Sequence, residues 1–299
     1  MKFKQIACAD HPGLPEWVYP ELQKYAQFPI KQVDNYPSND AEIIANIGDA
    51  DCALVSWNTL ISREVILACP QLKYIGMCCS LIDESSANVD ISAASEKGIV
   101  VKGVRDYGDE GVVEFIISEL IQLLKGTNEH QWKDDQVELG GQKIGIIGMG
   151  TTGQMLAEAA LFFKMKVFYY SRTPKVEMEN KGLTWLPLEE LLQSVDILSI
   201  HLPKNTSLLN QQHFNWFGAN KILINTTLGL SFKPEDFLQW MQTSQSYAIM
   251  DASGIGAFKK DLMPLERLIL SPKTSGFTHE AKNRLAQKVL NNIQHYFKA

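Results

Sequence analysis

Residues 143–153 read KIGIIGMGTTG, a near-continuous apolar run followed by the pattern Gly-x-Gly-x-x-Gly at Gly148, Gly150 and Gly153. Such a run is typical of a strand buried on both faces of a parallel sheet, and residues 154–163 have the apolar spacing of a helix. Glycines between a strand and a helix permit a tight turn, close approach of an anion and close helix–strand packing. The stretch predicts the first βα turn of a dinucleotide-binding sheet; a glycine-rich turn without a ligand is the alternative.

The next predicted strand, residues 166–171, indicates which dinucleotide is bound. An NAD-preferring site would end this strand with Asp or Glu, which binds the ribose 2′-hydroxyl and repels a 2′-phosphate. Here the strand ends at Ser171, followed by Arg172 and Thr173. A hydroxyl and a guanidinium suit a 2′-phosphate, so NADP(H) is the predicted cofactor. The alternative is a solvated Arg172 with NAD(H) bound through other groups.

The same alternation of strand and helix patterns extends in both directions from the glycine loop. Short β-branched runs bounded by turn residues, with helix-period segments between them, predict repeated βα units and an α/β fold. The predicted strands are residues 3–8, 52–57, 72–77 and 99–102 before the loop, and 166–171, 196–202, 222–227, 247–252 and 267–271 after it. The predicted helices before the loop are residues 16–26, 40–46, 62–69, 91–97 and 108–125.

Length, charge and cysteine content exclude several protein classes. The 299 residues predict two domains. A net charge of −6 lacks the basic excess that nucleic-acid binding needs. The five cysteines form no C-x-x-C pair, which favours a reducing compartment and gives no metal site. With neither a signal-peptide pattern nor a membrane-length apolar run, the protein is expected in the cytoplasm, acting on a small molecule without membrane contact.

Order and spacing of several motifs resemble the D-isomer-specific 2-hydroxyacid dehydrogenases. The matching stretches include LKYIGMCCSLID, GDEGVVEFIISELIQLL, the glycine loop with its flanking elements, VDILSIHLPKNTSLLN, ILINTTLG and AIMDASG. The resemblance implies a Rossmann-type, doubly wound parallel-sheet domain at residues 104–277. It also implies a flavodoxin-like α/β substrate domain made of residues 1–103 and 278–299, and a homodimer formed through the nucleotide domain.

The resemblance also assigns site residues, of which Asp251 is expected to hydrogen-bond the nicotinamide carboxamide. A carboxylate that caps a nearby loop is the alternative for Asp251. The full cofactor set, including the glycine loop and the second-strand residues, is Gly148, Gly150, Thr151, Thr152, Gly153, Ser171, Arg172, Thr173, His201, Leu202, Pro203, Thr206, Thr226, Thr227 and Asp251. The expected substrate-binding positions are Met77, Cys78, Cys79 and Leu228.

All three residues that carry the family's chemistry are replaced. The arginine that holds the substrate carboxylate corresponds to Leu228, the glutamate to Gly256, and the acid/base histidine to Lys273. Leucine cannot bind a carboxylate, so ordinary 2-hydroxyacid oxidation is not expected. A lysine enclosed by protein can protonate a carbonyl or imine, which makes Lys273 the candidate catalytic residue; a solvated lysine in a degenerate site is the alternative.

Two functions follow from this combination. The first is an NADP(H)-preferring oxidoreductase that reduces a carbonyl or imine by a mechanism unlike the usual 2-hydroxyacid one, because the cofactor supplies the hydride and the protein needs only to position and polarise. The second is a catalytically silent NADP(H)-binding protein that senses the nucleotide or partners another protein. Retention of the cofactor motifs favours the first, and loss of the three catalytic residues favours the second.

Overall fold

A computed structural model describes residues 1–204, 206–262 and 265–298 of the chain. The chain divides into two compact units, one of Met1–Tyr107 with the segment that begins at Thr278, the other of Gly108–Phe277. The first part of this unit ends at Tyr107, four residues beyond the predicted boundary at residue 103, and its last strand ends at Val104. Among the described residues, no helix is both long and apolar enough to cross a lipid bilayer.

The first unit is a parallel sheet with helices packed on it. Its strands are β1 (Ile6–Cys8), β2 (Cys52–Val55), β3 (Tyr74–Ser80) and β4 (Val100–Val104). Its helices are α1 (Val18–Gln23), α2 (Asp40–Ile47), α3 (Arg63–Ala68), α4 (Ile91–Glu96) and, from the end of the chain, α13 (His279–Tyr296). Side chains of Asn39, Ser62, Asp90 and Thr278 cap the amino ends of α2, α3, α4 and α13.

The strand order of this unit is β1-β2-β3-β4, and every pair is parallel. A single parallel bridge joins Ala7 to Lys31 on the other side of β1, where the Cys8 amide donates to the Lys31 carbonyl at 2.8 Å. Counting the Lys31 segment as the second strand gives the order 2-1-3-4-5, which is the flavodoxin-like arrangement. The segment was not predicted from the sequence, because a segment that pairs through one bridge does not need alternating apolar residues.

Helix α13 closes the hydrophobic core of the first unit although it lies at the other end of the chain. The Phe3 ring lies 5.3 Å from the Tyr296 ring and 4.7 Å from the Phe297 ring. Polar contacts continue along the helix, since the Arg284 guanidinium donates to the Tyr107 carbonyl at 2.8 Å. The final segment therefore stabilises the unit in which the chain begins.

The second unit contains a seven-stranded parallel sheet within the described part of the chain. Its strands are β5 (Lys143–Ile147), β6 (Lys166–Tyr170), β7 (Thr184–Trp185), β8 (Ile197–Ile200), β9 (Ile222–Asn225), β10 (Tyr247–Met250) and β11 (Leu268–Leu270). Its helices are α5 (Asp109–Lys125), α6 (Thr151–Phe162), α7 (Val176–Asn180), α8 (Leu188–Ser194), α9 (Gln211–Phe217), α10 (Pro234–Ser244), α11 (Ala252–Ile255) and α12 (Lys259–Leu262).

The strand order β11-β10-β9-β8-β5-β6-β7 is doubly wound, because the chain builds outward from β5 in one direction and then from β8 in the other. The predicted α/β fold with a Rossmann-type sheet is confirmed. Among these strands only β7 was not predicted, because its two residues are too few to show the alternation of apolar and polar side chains that marks a strand. In such sheets ligands bind where the order reverses, beyond the carboxyl ends of the strands; here that point lies between β5 and β8.

The packing of Phe3 can be tested by truncation. Phe3 is buried against α13, so Phe3→Ala is expected to lower the free energy of unfolding by about 3–5 kcal/mol through lost contacts and a residual cavity. Phe28, which is 51% exposed in the same unit, provides the matched control, and Phe28→Ala should change stability by less than about 0.5 kcal/mol. Urea unfolding measures both, and equal effects would contradict the packing role.

Candidate functional site

The glycine loop begins where β5 ends, at the point where the strand order reverses. Gly148 has φ +93, and a β-carbon at this position would overlap the carbonyl oxygen of His201, the residue after β8. A β-carbon at Gly153 would likewise overlap the carbonyl oxygen of Gly148. The chain itself therefore requires glycine at both positions, first for the close approach of two strand ends and then for packing of α6 on the loop.

Gly150 differs from these two glycines, because no described atom lies within 4 Å of a β-carbon built there. It is exposed and occupies the N-cap position of α6, without a side chain to cap the helix. The space in front of the helix N-terminus is consequently left open. Backbone amides and the helix dipole at such a terminus attract phosphate, so the loop fits the pyrophosphate of a dinucleotide.

His201 and the turn after it form the neighbouring wall. The His201 imidazole lies 2.9 Å from the Ser199 hydroxyl, and desolvation lowers its pKa from 6.5 to about 4. The ring is therefore neutral at pH 7. Leu202 and Thr206 are half-buried and Pro203 is exposed, with the Thr206 amide donating to the Pro203 carbonyl at 3.3 Å.

The loop after β6 carries basic groups and no carboxylate. The Ser171 hydroxyl donates to the Thr173 carbonyl at 2.7 Å, and the Trp185 indole donates to the Ser171 carbonyl at 3.1 Å. Arg172 is exposed, and no hydrogen bond or ion pair of its side chain is found in the described part of the chain. Its guanidinium is thus available to a solute.

Lys175 is a member of this region that sequence reasoning missed. Its ammonium donates to the carbonyl of Met149, inside the glycine loop, at 2.6 Å. The sequence signal was present as a second basic residue three positions after Arg172. The contact itself crosses from one strand end to the next, so no local pattern predicts it.

The loop after β9 is held by its own hydrogen bonds. The Thr227 hydroxyl lies 2.9 Å from the Asn225 side-chain oxygen and 2.7 Å from the Gly229 carbonyl. The Asn225 amide donates to the Gly229 carbonyl at 3.0 Å. This arrangement leaves Thr226 half-buried and Leu228 38% exposed at the tip. The position predicted for the family's arginine therefore presents an apolar side chain to solvent.

Asp251 lies at the end of β10 with both carboxylate oxygens engaged. One oxygen accepts from the Gly254 amide at 2.6 Å and so caps α11; the other accepts from the Ser275 amide at 2.7 Å and the Ser275 hydroxyl at 2.6 Å. The side chain is only 1% exposed. These contacts match the capping alternative for Asp251, and its hydrogen bond to a nicotinamide remains a prediction.

Comparison with known proteins decides the family. Residues 116–275 match the family model described as D-isomer specific 2-hydroxyacid dehydrogenase, NAD binding domain. The protein belongs to this family. A hydroxypyruvate reductase of Blautia hydrogenotrophica is 26% identical over 86% of this chain and 85% of its own. A glyoxylate reductase of Thermococcus litoralis is 24% identical over 94% of this chain and 90% of its own.

Solved structures of this fold superpose over nearly the whole chain. The TT0316 protein of Thermus thermophilus has a TM-score of 0.84 at 23% identity, covering 98% of this chain and 97% of that one. An acyclic imino acid reductase, solved with NADPH and D-arginine, has a TM-score of 0.82 at 24% identity with the same coverage. These likenesses establish the fold, and the family match establishes an NAD-binding oxidoreductase scaffold.

The position predicted for the family's acid/base residue is occupied by an exposed side chain. Lys273 is exposed, and its backbone carbonyl accepts from the Ala252 amide at 3.2 Å. The enclosure that would make a lysine an acid catalyst is therefore absent around this side chain as the structure describes it. Gly256, at the position predicted for the glutamate, is also exposed.

The structure places the expected substrate-binding residues Met77, Cys78 and Cys79 in a buried strand. Met77, Cys78 and Cys79 lie inside β3, with side chains that are 0%, 0% and 4% exposed. Burial raises the pKa of the Cys78 thiol far above its usual value, and the Cys79 sulfur lies 3.3 Å from the Asn88 side-chain oxygen. These side chains pack the core of the first unit, and their burial does not support contact with a substrate.

The close approach at Gly148 generates a stability and binding prediction. Gly148→Ala introduces the overlap with His201 and should abolish measurable dinucleotide binding while lowering the melting temperature. Gly182→Ala is the control, because Gly182 has a nearly identical φ of +94 and no atom within 4 Å of its β-carbon. Its cost is limited to backbone strain of about 1 kcal/mol. Calorimetric titration with NADPH and thermal unfolding compare the two, and unimpaired binding in Gly148→Ala would refute the assignment.

Proposed function

We propose that the protein is an NADP(H)-preferring oxidoreductase that reduces a carbonyl or imine group by a mechanism different from that of its 2-hydroxyacid relatives. The observation that carries the cofactor preference is the loop after β6, where Arg172 is solvent-exposed and Lys175 contacts the glycine loop. Ser171, at the end of the strand, does not repel a 2′-phosphate as a carboxylate would. The available guanidinium supplies several charged donors to such a group.

The proposed substrate lacks the carboxylate that the relatives' 2-oxo acids carry. Leu228 offers apolar surface where a bidentate arginine clamp would stand, and the loop that holds it is fixed by Asn225 and Thr227. A neutral ketone, or an imine, needs no cationic clamp. The imino acid reductase solved with NADPH has this fold, so imines belong among the substrates to be tested, both with a carboxylate, as in an imino acid, and without one.

Catalysis in this proposal rests on the groups that the second unit provides. When bound, the cofactor supplies the hydride. The glycine loop and the N-terminus of α6 bind its phosphates, the turn from His201 to Thr206 flanks it, and Thr226, Thr227 and Asp251 are proposed beside the nicotinamide. Lys273 is proposed to donate the proton to the substrate, which requires the now-exposed side chain to be enclosed once ligands are bound.

The second candidate, a catalytically silent NADP(H)-binding protein, is favoured by two observations. Lys273 is solvated, and the Asp251 carboxylate already accepts three hydrogen bonds from its own chain. In this structure, therefore, neither side chain is arranged to take part in a reaction.

The homodimer and the cytoplasmic location remain predictions.

Arg172 provides the test of cofactor preference. Wild-type protein is expected to bind NADPH more tightly than NADH. Arg172→Ala should weaken NADPH binding by about 10–100-fold, the worth of charged hydrogen bonds, and leave NADH within about twofold. Calorimetric titration of both dinucleotides measures the difference. Equal or tighter NADH binding by the wild type would contradict the NADP(H) preference.

A substrate screen separates the enzyme from the silent binder. NADPH oxidation would be followed by its near-ultraviolet absorbance against neutral ketones, aldehydes, amine–ketone mixtures that form imines, glyoxylate and hydroxypyruvate. The proposal expects turnover with a neutral carbonyl or an imine, reduced at least about 100-fold by Lys273→Ala, the usual scale of general acid catalysis. Lys259→Ala is the control, since Lys259 is likewise exposed. NADPH binding without turnover in any class would favour the silent protein, and efficient reduction of glyoxylate would contradict the altered mechanism.

A further inference from the structure

Lys175 is held in place by a buried residue of the strand that precedes it. Its backbone amide donates to the Tyr169 phenol oxygen at 2.6 Å, and that hydroxyl donates to the Lys175 carbonyl at 3.3 Å. Tyr169 is 0% exposed in β6. The position of the lysine is therefore fixed by the core of the sheet, although it lies in a loop.

The side chain of Lys175 rests on the glycine loop. Its ammonium donates to the Met149 carbonyl at 2.6 Å, and the Gln154 amide donates to the same oxygen at 3.1 Å. Met149 lies between Gly148 and Gly150, and its side chain is 3% exposed. The cation thus lies beside the loop that fits the pyrophosphate.

This cation has no counter-charge of its own. In residues 1–204, 206–262 and 265–298, no carboxylate is found within ion-pair distance of the Lys175 ammonium. One of its three hydrogens is used on a neutral carbonyl, which leaves two for another acceptor. The residue is half-buried, and a partly desolvated cation is stabilised when an anion supplies the missing partner.

We infer that Lys175 is a specificity-determining residue that binds the 2′-phosphate of NADP(H) from the glycine-loop side, as a second cation beside Arg172 in the sequence of the loop after β6. This inference rests on the proposed NADP(H) preference. A phosphomonoester carries close to two negative charges at pH 7 and takes several donors at once. Arg172 alone is exposed and screened by solvent, whereas the anchored ammonium of Lys175 acts with less screening.

A purely structural role for Lys175 makes a different prediction. If the ammonium only ties the loop after β6 to the Met149 carbonyl, its loss disturbs the glycine loop itself. Binding of every dinucleotide would then weaken by the same factor, because all of them share the pyrophosphate. A role in 2′-phosphate recognition weakens only those ligands that carry this phosphate.

Three variants distinguish these roles. Lys175→Met removes the charge and keeps most of the length, Lys175→Arg keeps the charge, and Lys166→Met removes an exposed lysine at the opposite end of β6. Each would be titrated by calorimetry with NADPH, NADH, adenosine 2′,5′-bisphosphate and adenosine 5′-monophosphate. Thermal unfolding without ligand reports whether each variant is folded.

For Lys175→Met we expect NADPH and adenosine 2′,5′-bisphosphate to bind about tenfold or more weakly, with NADH and adenosine 5′-monophosphate within about twofold. Lys175→Arg should retain the preference, and Lys166→Met should match the wild type. Equal losses for NADPH and NADH, or no loss, would overturn the inference. If Arg172→Ala reduces NADPH affinity selectively but Lys175→Met does not, the inference alone fails; if the wild type shows no NADPH preference, the proposed function fails with it.

Discussion

The contact between Gly148 and the carbonyl of His201 is the constraint on which the nucleotide unit depends. It sets how closely the carboxyl ends of β5 and β8 approach at the point where the strand order reverses. Only a residue without a β-carbon, in a left-handed conformation, permits that approach. Gly153 then packs α6 against the carbonyl of Gly148. The anion-binding helix N-terminus is positioned as a consequence of backbone packing, before any ligand is considered.

The phosphates of a dinucleotide must be attracted by positive groups close to the site, because the overall charge of the protein does not attract them. The protein carries a net charge of −6, so its overall field does not attract a phosphorylated dinucleotide. The positive groups of the proposed site are the N-terminus of α6, the Lys175 ammonium on the glycine loop and the Arg172 guanidinium in the loop after β6. The proposed discrimination between NADP(H) and NAD(H) therefore depends on where these few charges lie as well as on their sign.

Several side chains that are chemically reactive in other settings here pack the core or accept hydrogen bonds that hold the fold together. Cys78 and Cys79 fill the core beside β2 and β4, and Asp251 joins the end of β10 to α11 and to Ser275. Leu228 and Lys273 are exposed at the positions predicted for the family's charged clamp and acid. The scaffold of the family is retained here, and the replacement of the residues that define 2-hydroxyacid chemistry remains a prediction from the sequence.

The amino-acid sequence by itself determined the α/β class, nearly all strands of both sheets, the glycine loop and the family, because apolar periodicity and glycine spacing depend on near neighbours in the chain. Only the tertiary structure decided which of the motif residues are exposed to a ligand and which are buried or hydrogen-bonded within the protein. Asp251 is hydrogen-bonded to Ser275, which is 24 residues away in the sequence, and Lys175 is hydrogen-bonded to Met149, which is 26 residues away. Met77 to Cys79 are buried because β3 lies between two other strands. Hydrogen-bond partners and burial depend on which strand ends the fold brings side by side, and no local pattern encodes that.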